Sequence, residues 1–269
     1  MNKRICNFDQ YLTQMLTKNE IKRIVSLKQK KFRQEENLFM AEGEKLIVEL
    51  IAAGLNPQNI YMLEGYVNHT SILNNPTTLV ISEMEMGRIS NLTTPASTLA
   101  VFHMPKYHLN SAEIKEQLVI ALDDIQDPGN LGTIIRLCVW FGVTNLVCST
   151  ETVDCYNPKV VQASMGALAK VKIHYTNLSN LLEVMQSNGI PIFGTFLEGE
   201  NLYQSHLPKN GIIVMGNEGN GISKNVENII SNKITIPAFT NDPAGAESLN
   251  VATATAIILS EFRRNGFTD

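Results

Sequence analysis

Apolar residues recur along this chain with two periods, and glycine, proline or a polar run marks where each period stops. Ile21, Ile24, Val25 and Leu27 fall at helical spacing within Asn19 to Lys31. Glu44 to Ala53 repeats the pattern, with Leu46, Ile47, Leu50 and Ile51 on one face and Gly54 as its stop. Short apolar runs at Leu38 to Ala41, Asn59 to Leu63, Thr78 to Ser82 and Thr98 to His103 read as strands, so the first hundred residues predict an α/β unit.

From Pro105 to Gln117 the chain turns polar, which predicts a domain of residues 1–105, a linker at 106–117 and a second domain at 118–269. The second part alternates strongly. Leu118 to Leu122, Asn145 to Cys148, Ile190 to Phe196, Gly211 to Met215 and Lys233 to Ile236 read as strands. Leu131 to Phe141, Pro158 to Ala167, Leu178 to Ser187, Lys224 to Ile230 and Leu249 to Arg264 read as helices. This alternation predicts a doubly wound α/β fold, a mostly parallel sheet covered by helices on both faces, with ligands at the carboxyl ends of its strands.

Composition agrees with two ordinary cores: 269 residues, 44% hydrophobic and 18% charged. No run approaches the roughly 18 apolar residues of a membrane span, and the polar start lacks the apolar core of a signal peptide, so the reading is a soluble cytoplasmic protein. Cys6, Cys138, Cys148 and Cys155 form no Cys-x-x-Cys pair and no histidine stands at ligand spacing, which argues against zinc, other metals and disulfides. A net charge of −4 taken alone speaks against a nucleic-acid binder. The average hides an asymmetry: Lys18, Lys22, Arg23, Lys28, Lys30, Lys31 and Arg33 crowd one short stretch against Glu20, Glu35 and Glu36. A polyanion can dock on such a stretch, and a solvated helix face is the alternative.

Three polar segments sit where strands end or helices begin. In the first, Asp123, Asp124 and Asp127 precede Pro128-Gly129-Asn130, where Asn130 can cap a helix starting at Leu131 and Arg136 interrupts the apolar face formed by Ile134, Leu137, Cys138 and Phe141. Arg136 reads either as a surface arginine paired with an acidic neighbour or as a phosphate ligand close to the positive end of a helix. The second, Gly216-Asn217-Glu218-Gly219-Asn220-Gly221, has the glycine order of neither a dinucleotide fingerprint nor a P-loop; it suggests close backbone approach to a ligand, with Ser223 capping the next helix. In the third, Ser248-Leu249-Asn250 opens a small-residue helix, with Ser248 as candidate N-cap, behind a long polar connection from Phe239 to Ala246.

Asn130-x-Gly132-x-x-x-Arg136, the Gly216 to Gly221 loop, and Ile236-Pro237 through Ser248-Leu249-Asn250-Val251 resemble the three ordered motifs of the SpoU family of RNA ribose 2'-O-methyltransferases. Asn157-Pro158-Lys159-Val160-Val161 and Ala163-Ser164-Met165-Gly166-Ala167 match the same family, and the likeness spans Leu118 to Arg264. Lys22 to Pro105 more loosely resembles the family's substrate-binding domain, similar to a ribosomal-protein RNA-binding fold. The resemblance implies a deep C-terminal trefoil knot, a homodimer through the catalytic domain, and S-adenosyl-L-methionine bound among Thr195, Phe196, Leu197, Met215, Gly216, Asn217, Gly221, Ile236, Ala238, Ser248 and Leu249, largely by backbone groups. It aligns Asn130, Arg136, Glu218, Ser248 and Asn250 with catalytic positions, and the family's RNA substrate makes Lys22, Arg23, Lys28, Lys30, Lys31, Arg33 and Arg136 the candidate RNA contacts. Two departures stand out: a longer approach at residues 238–247, and Gln162 where many relatives carry arginine.

A ribose 2'-O-methyltransferase of structured RNA is therefore the leading reading, ribosomal RNA ahead of transfer RNA because a separate N-terminal domain suits folded targets. Methyl transfer to a ribose oxygen needs alignment and removal of a proton but no metal, and a guanidinium serves better as an electrostatic partner than as a base. A non-catalytic RNA-binding relative would tolerate loss of Asn130, Arg136, Ser248 and Asn250, all present here. A nucleotide-dependent oxidoreductase is disfavoured by the glycine order.

Overall fold

Residues 15–69, 72, 75–239 and 248–264 are described by a computed structural model, and the chain divides into two units: Met1–Pro105 with Tyr156–Gln162, and Lys106–Cys155 with Ala163–Asp269. In the first unit the stretch predicted as one helix is two, α1 (Lys18–Ser26) and α2 (Lys30–Glu36). Thr17 and Glu20 close a capping box at the start of α1. At its end, two carbonyls that no helical N–H can reach, those of Leu27 and Lys28, accept hydrogen bonds from the Arg33 guanidinium, both at 2.8 Å.

The unit continues through β1 (Leu38–Glu42), α3 (Glu44–Ala52), β2 (Pro57–Leu63), β3 (Thr78–Ile81), α4 (Glu83–Ile89) and β4 (Thr98–His103). Gly54 stops α3 with φ 91°, the left-handed conformation that glycine reaches without strain. The sheet order is β1-β4-β2-β3, with β4 antiparallel to β1 and β2 and with β2 and β3 parallel. All five residues of β1 are buried because both faces are covered, which is why its sequence runs apolar instead of alternating. Met40 and Leu38 face Ile24, Leu27, Met86 and Ile89, while Phe39 stacks on Phe102 with ring centroids 5.5 Å apart. Helix α4 is absent from the sequence reading; Ser82, taken there as the end of a strand, is its N-cap and pairs with Glu85 in a second capping box.

The second unit contains α5 (Ser111–Glu116), β5 (Leu118–Leu122), α6 (Pro128–Trp140), β6 (Asn145–Ser149), α7 (Pro158–Ser164, most of which groups with the first unit), β7 (Lys172–Thr176), α8 (Leu178–Ser187), β8 (Ile192–Asn201), β9 (Gly211–Met215), α9 (Lys224–Glu227), β10 (Asn232–Thr235) and α10 (Val251–Arg263). The expected linker 106–117 carries α5, whose Ile114 is buried with Val119, Ile192 and Val214 in the core of this unit. Strand β7 is likewise new: on the sheet edge its Lys-Ile-His-Tyr-Thr sequence buries only His174, too little apolar signal to stand out.

The six strands lie in the order β10-β8-β9-β5-β6-β7 and every neighbouring pair is parallel. Between Gly194, opposite Lys233, and Glu200, opposite Ile234, residues 195–199 leave the β8–β10 ladder and form an excursion. Helix α10 packs back on α6, and Arg263 donates to the Phe141 carbonyl at 3.0 Å beyond the end of α6. Close backbone approach requires glycine at two points. A Cβ on Gly132 would lie 2.4 Å from the Ala163 Cβ, and one on Gly216 would lie 2.4 Å from the Gly221 carbonyl carbon. Among the described residues, no helix is long and apolar enough to cross a membrane.

Candidate active site

Since β10, β8, β9 and β5 are parallel neighbours, the segments leaving their carboxyl ends share one edge of the sheet. Asp123 to Asp127 follows β5, Gly216 to Gly221 follows β9 and Ile236 onward follows β10. The N–H of the buried residue Asp123 donates to the Met215 carbonyl at 2.9 Å, and its carboxylate accepts the Ser223 N–H at 2.7 Å. Asp123 thereby satisfies the start of α9. Ser223 occupies the N-cap position, but its own side chain makes no capping bond.

The two longer helices at this edge are capped by residues other than those expected. Helix α6 begins at Pro128, not Leu131, and its cap is Asp127, whose carboxylate accepts the Asn130 N–H at 2.8 Å. Asp-Pro suits this start: the carboxylate meets an unpaired N–H, and proline at the first helical position has no N–H to leave unpaired. Helix α10 is capped by Asn250, not Ser248; its Oδ1 accepts the N–H groups of Ala252 at 3.0 Å and Thr253 at 3.2 Å.

Moving both caps changes what the two asparagines do. With its Oδ1 committed to backbone N–H donors, Asn250 can offer only Nδ2 to a neighbour, and it donates to Asn130 Oδ1 at 2.9 Å. Asn130 must then present its own Nδ2 on the other side, where it donates to Glu218 Oε1 at 2.9 Å. The N–H groups of Gln126 and Asp127 point at the same carboxylate from 3.4 Å. The backbone at the start of α10 thus fixes a one-way chain of donors ending on Glu218, and residues 120 apart in sequence meet.

Arg136 stands apart from that chain. It is exposed and, among the described residues, makes no hydrogen bond or ion pair. It lies about 12 Å along the axis from the start of α6 and roughly 120° around it from Asn130. The helix-end field, which fades within the first turn, therefore does not reach it, which removes the sequence argument for a phosphate there and leaves the free guanidinium itself. The Trp140 side chain, one turn on along the same face of α6, is also exposed (83%).

Of the residues expected at a cofactor, Leu197 (77%) and Leu249 (50%) are exposed apolar side chains. Ala238, Ser248 and Gly221 are exposed, Thr195, Phe196, Gly216 and Ile236 are half-buried, and Met215 is buried within β9. The Thr195 hydroxyl donates to the Val214 carbonyl at 3.2 Å, and the Leu197 carbonyl accepts the Thr235 hydroxyl at 3.0 Å. Lys233 Nζ stands 4.7 Å from the centroid of the Phe196 ring. Asn217 is half-buried. Its side chain is committed inside its own loop and to the segment after β5: Oδ1 accepts the N–H groups of Gly219 and Asn220, both at 2.9 Å, and Nδ2 donates to the Asp124 carbonyl at 2.7 Å. Asp123, Asp124 and Asp127 carry more of this site than the sequence assigned them; the Asp127-Pro128 pair, an N-cap followed by proline, was the one legible signal. The longer approach at residues 238–247 lies, from 240 onward, outside the described residues.

The candidate RNA cations of the first unit divide. Lys22 and Lys30 are exposed, Arg23 pairs with Glu36 at 2.8 Å, Lys31 stands 3.8 Å from Glu35, and Lys28 donates to the Ser90 carbonyl at 3.2 Å. Arg33 is withdrawn from the set, since only 1% of it is exposed and its guanidinium holds the end of α1. Cys138, Cys148 and Cys155 are buried free thiols, and burial pushes the Cys138 thiol up to about 12. Among the described residues, no group of His, Cys, Asp or Glu is gathered as for a metal ion.

Residues 117–260 match the family described as SpoU rRNA Methylase. The chain belongs to the SpoU family. Residues 18–100 of this SpoU chain also match a domain described as an MRM3-like substrate binding domain. A TrmH-family structure from Porphyromonas gingivalis is 39% identical, with a TM-score of 0.83, and the likeness covers 94% of this chain and 100% of that one. An AdoMet-bound rRNA methyltransferase from Sinorhizobium meliloti is 27% identical with a TM-score of 0.80, over 96% of this chain and 99% of its own. The 23S rRNA (guanosine(2553)-2'-O)-methyltransferase RlmP of Bacillus subtilis is 28% identical over 236 residues, 87% of this chain and 92% of that protein. The parallel sheet flanked by helices is therefore a SpoU methyltransferase fold.

Proposed function

We propose that the chain methylates a ribose 2'-hydroxyl in structured RNA, ribosomal RNA ahead of transfer RNA, with S-adenosyl-L-methionine as methyl donor. The observation that carries this reading is the donor chain Asn250–Asn130–Glu218, which ties together three separate segments of a SpoU chain at the carboxyl edge of its parallel sheet. The named relatives support it, since RlmP acts on 23S rRNA and the S. meliloti structure is bound to AdoMet.

The residues present fit that donor. Exposed Leu197 and Leu249 offer apolar contact to an adenosine, and Gly221, with nothing within 4 Å of where a Cβ would stand, leaves its backbone open to it. Thr195, Phe196, Met215, Ile236, Ala238 and Ser248 would complete its surroundings, with Asn217 acting through the loop and not through its side chain. When bound, the sulfonium supplies an activated methyl group. The protein's part is alignment and charge. Arg136, a cation without a hydrogen-bond or ion-pair partner among the described residues, would hold the phosphate beside the target ribose and stabilise negative charge on the 2'-oxygen, while that phosphate or a nearby group takes the proton. Glu218, already accepting from Asn130, positions the first turn of α6.

The finer features follow the same reading. A C-terminal trefoil knot is supported by β10 closing the sheet while α10 returns to α6. A substrate-binding domain at 1–105, similar to a ribosomal-protein RNA-binding fold, and a catalytic domain at 118–269 are supported by the two family matches. Lys22, Arg23, Lys28, Lys30 and Lys31 would meet RNA. A homodimer through the catalytic domain is supported by the exposed Trp140 on α6, and a ribosomal substrate agrees with a cytoplasmic protein. Ribose-methylation mapping of total RNA from cells with and without the gene tests the reading; an unchanged map would overturn it.

A further inference from the structure

Two consecutive residues of the Gly216–Gly221 loop reach across to the segment that follows β5. Glu218 receives the donors already described, and Asn217 makes the second connection. The Asn217 N–H and C=O are both paired with Gly221 at 2.9 Å, and its Oδ1 receives two further N–H groups. Its Nδ2 donates to the Asp124 carbonyl at 2.7 Å, with Asp124 Oδ2 at 3.4 Å. No hydrogen-bonding capacity remains on this side chain for a ligand.

Asp124 is held in an unusual state. Its φ is 59°, in the left-handed region that few residues other than glycine adopt. Its N–H donates to the Ser149 hydroxyl at 3.0 Å, its Oδ1 accepts from Gln126 Nε2, and that same amide also donates to the Glu151 carbonyl at 2.9 Å. A residue turned this way aims its carbonyl at the neighbouring loop, and the group that meets it is Asn217 Nδ2.

Resting on the methyltransferase reading, we propose that Asn217 and Asp124 form a positioning latch: the amide donor of Asn217 sets the Gly216–Gly221 loop against the segment after β5, and so places Glu218 and Asn130 for cofactor binding and turnover. Neither residue touches the reacting atoms. The donor is what matters, because the acceptor half of the Asn217 side chain serves only its own loop.

Asn217→Asp isolates that donor. The substitution keeps the shape and the acceptor for Gly219 and Asn220 while setting a carboxylate oxygen against the Asp124 carbonyl and carboxylate. A protonated carboxyl regains a donor. Its ordinary pKa near about 4 is raised by the facing carboxylate, so function should return as the pH falls. S-adenosylhomocysteine affinity by calorimetry and methyl transfer to RNA are measured at pH 8 and pH 5.5 for wild type, Asn217→Asp and Asn217→Ala, each with a thermal melt. Asn217→Asp is expected to bind and turn over about tenfold or more below wild type at pH 8 and to approach wild type at pH 5.5. Asn217→Ala, which has no group to protonate, is expected to stay impaired at both.

Should Asn217→Asp alone fail to fold, Asn217→Ser carries the test: its hydroxyl can take the N–H groups of its own loop but is too short to donate to the Asp124 carbonyl. It is expected to bind and turn over below wild type at both pH values. A folded Asn217→Asp equal to wild type at pH 8, or equally impaired at both pH values, overturns the latch, as does a folded Asn217→Ser that matches wild type. Absence of S-adenosylhomocysteine binding by the wild-type chain overturns the methyltransferase reading instead, and the latch with it.

Discussion

Arg33 and Arg136 are two arginines with opposite fates. Arg33 sits in the densest run of positive charge, which the sequence reads as a polyanion contact or a solvated face, yet its guanidinium is buried, answering two carbonyls at the end of α1. Arg136 is the lone cation in an apolar helix, yet it is exposed and has no partner among the described residues. A cluster of like charge thus says little about which member faces a ligand. What decides is whether the fold has already given the donors something to hold. An arginine whose N–H groups meet unpaired helix-end carbonyls is structural, and one left without acceptors is available to an anion.

The sharpest way to break this contrast is Arg136→Ala. Turnover in a methyl-transfer assay is expected to fall by about 10² or more, the scale for losing a charge-stabilising donor, with S-adenosylhomocysteine affinity nearly unchanged. Near-normal turnover would mean that the free guanidinium is ordinary surface. Arg33→Met should do the reverse. It leaves two carbonyls without their donor and is expected to cost about 2 kcal/mol in urea unfolding, within the usual range for an unsatisfied buried group. If that variant were fully stable but weak in RNA binding, Arg33 would rejoin the phosphate contacts.

Smaller effects refine the picture at each helix start. Asp127→Ala removes the cap of α6 and is expected to cost about 1 kcal/mol of stability, while Ser248→Ala, at a position that caps nothing, leaves thermal stability unchanged. Equal melting losses for the two variants would contradict the placement of the caps. Lys22→Ala, at an exposed cation without a partner among the described residues, is expected to make RNA binding less steeply dependent on salt, lowering the log–log slope by about 0.7 to 0.9, as for one phosphate contact. An unchanged slope would remove Lys22 from the interface.

Much of the fold was legible because local signals and burial agree. Gly54 ends its helix where expected, and the helix expected to close at Phe141 gives way to Gly142, both glycines having positive φ. The apolar runs of β5 and β9 are fully buried central strands, and burial of both faces is what makes such runs continuous. The misses have physical causes as well. Helix α4 and helix α5 are short, and their weak periodicity hides beside a strand or inside a polar stretch. The predicted helix of Asn19 to Lys31 continues in sequence pattern but not in space, because Arg33 stabilises a break that no local propensity announces.

At the site the sequence alone determined which segments matter: the three motifs, their order and the glycines that allow backbone to approach backbone at Gly132 and Gly216. Residue type and spacing suffice for that, because they fix local conformation and the absence of a side chain. Only the tertiary structure decided how the polar groups pair. Whether Asn130 caps its helix or reaches Glu218 depends on Asp127 taking the N–H first, and whether Asn217 faces a ligand or Asp124 depends on two loops 93 residues apart meeting at a sheet edge. Hydrogen-bond donors and acceptors are directional and limited in number, so their assignment is settled by every neighbour at once, and those neighbours come together only when the chain has folded.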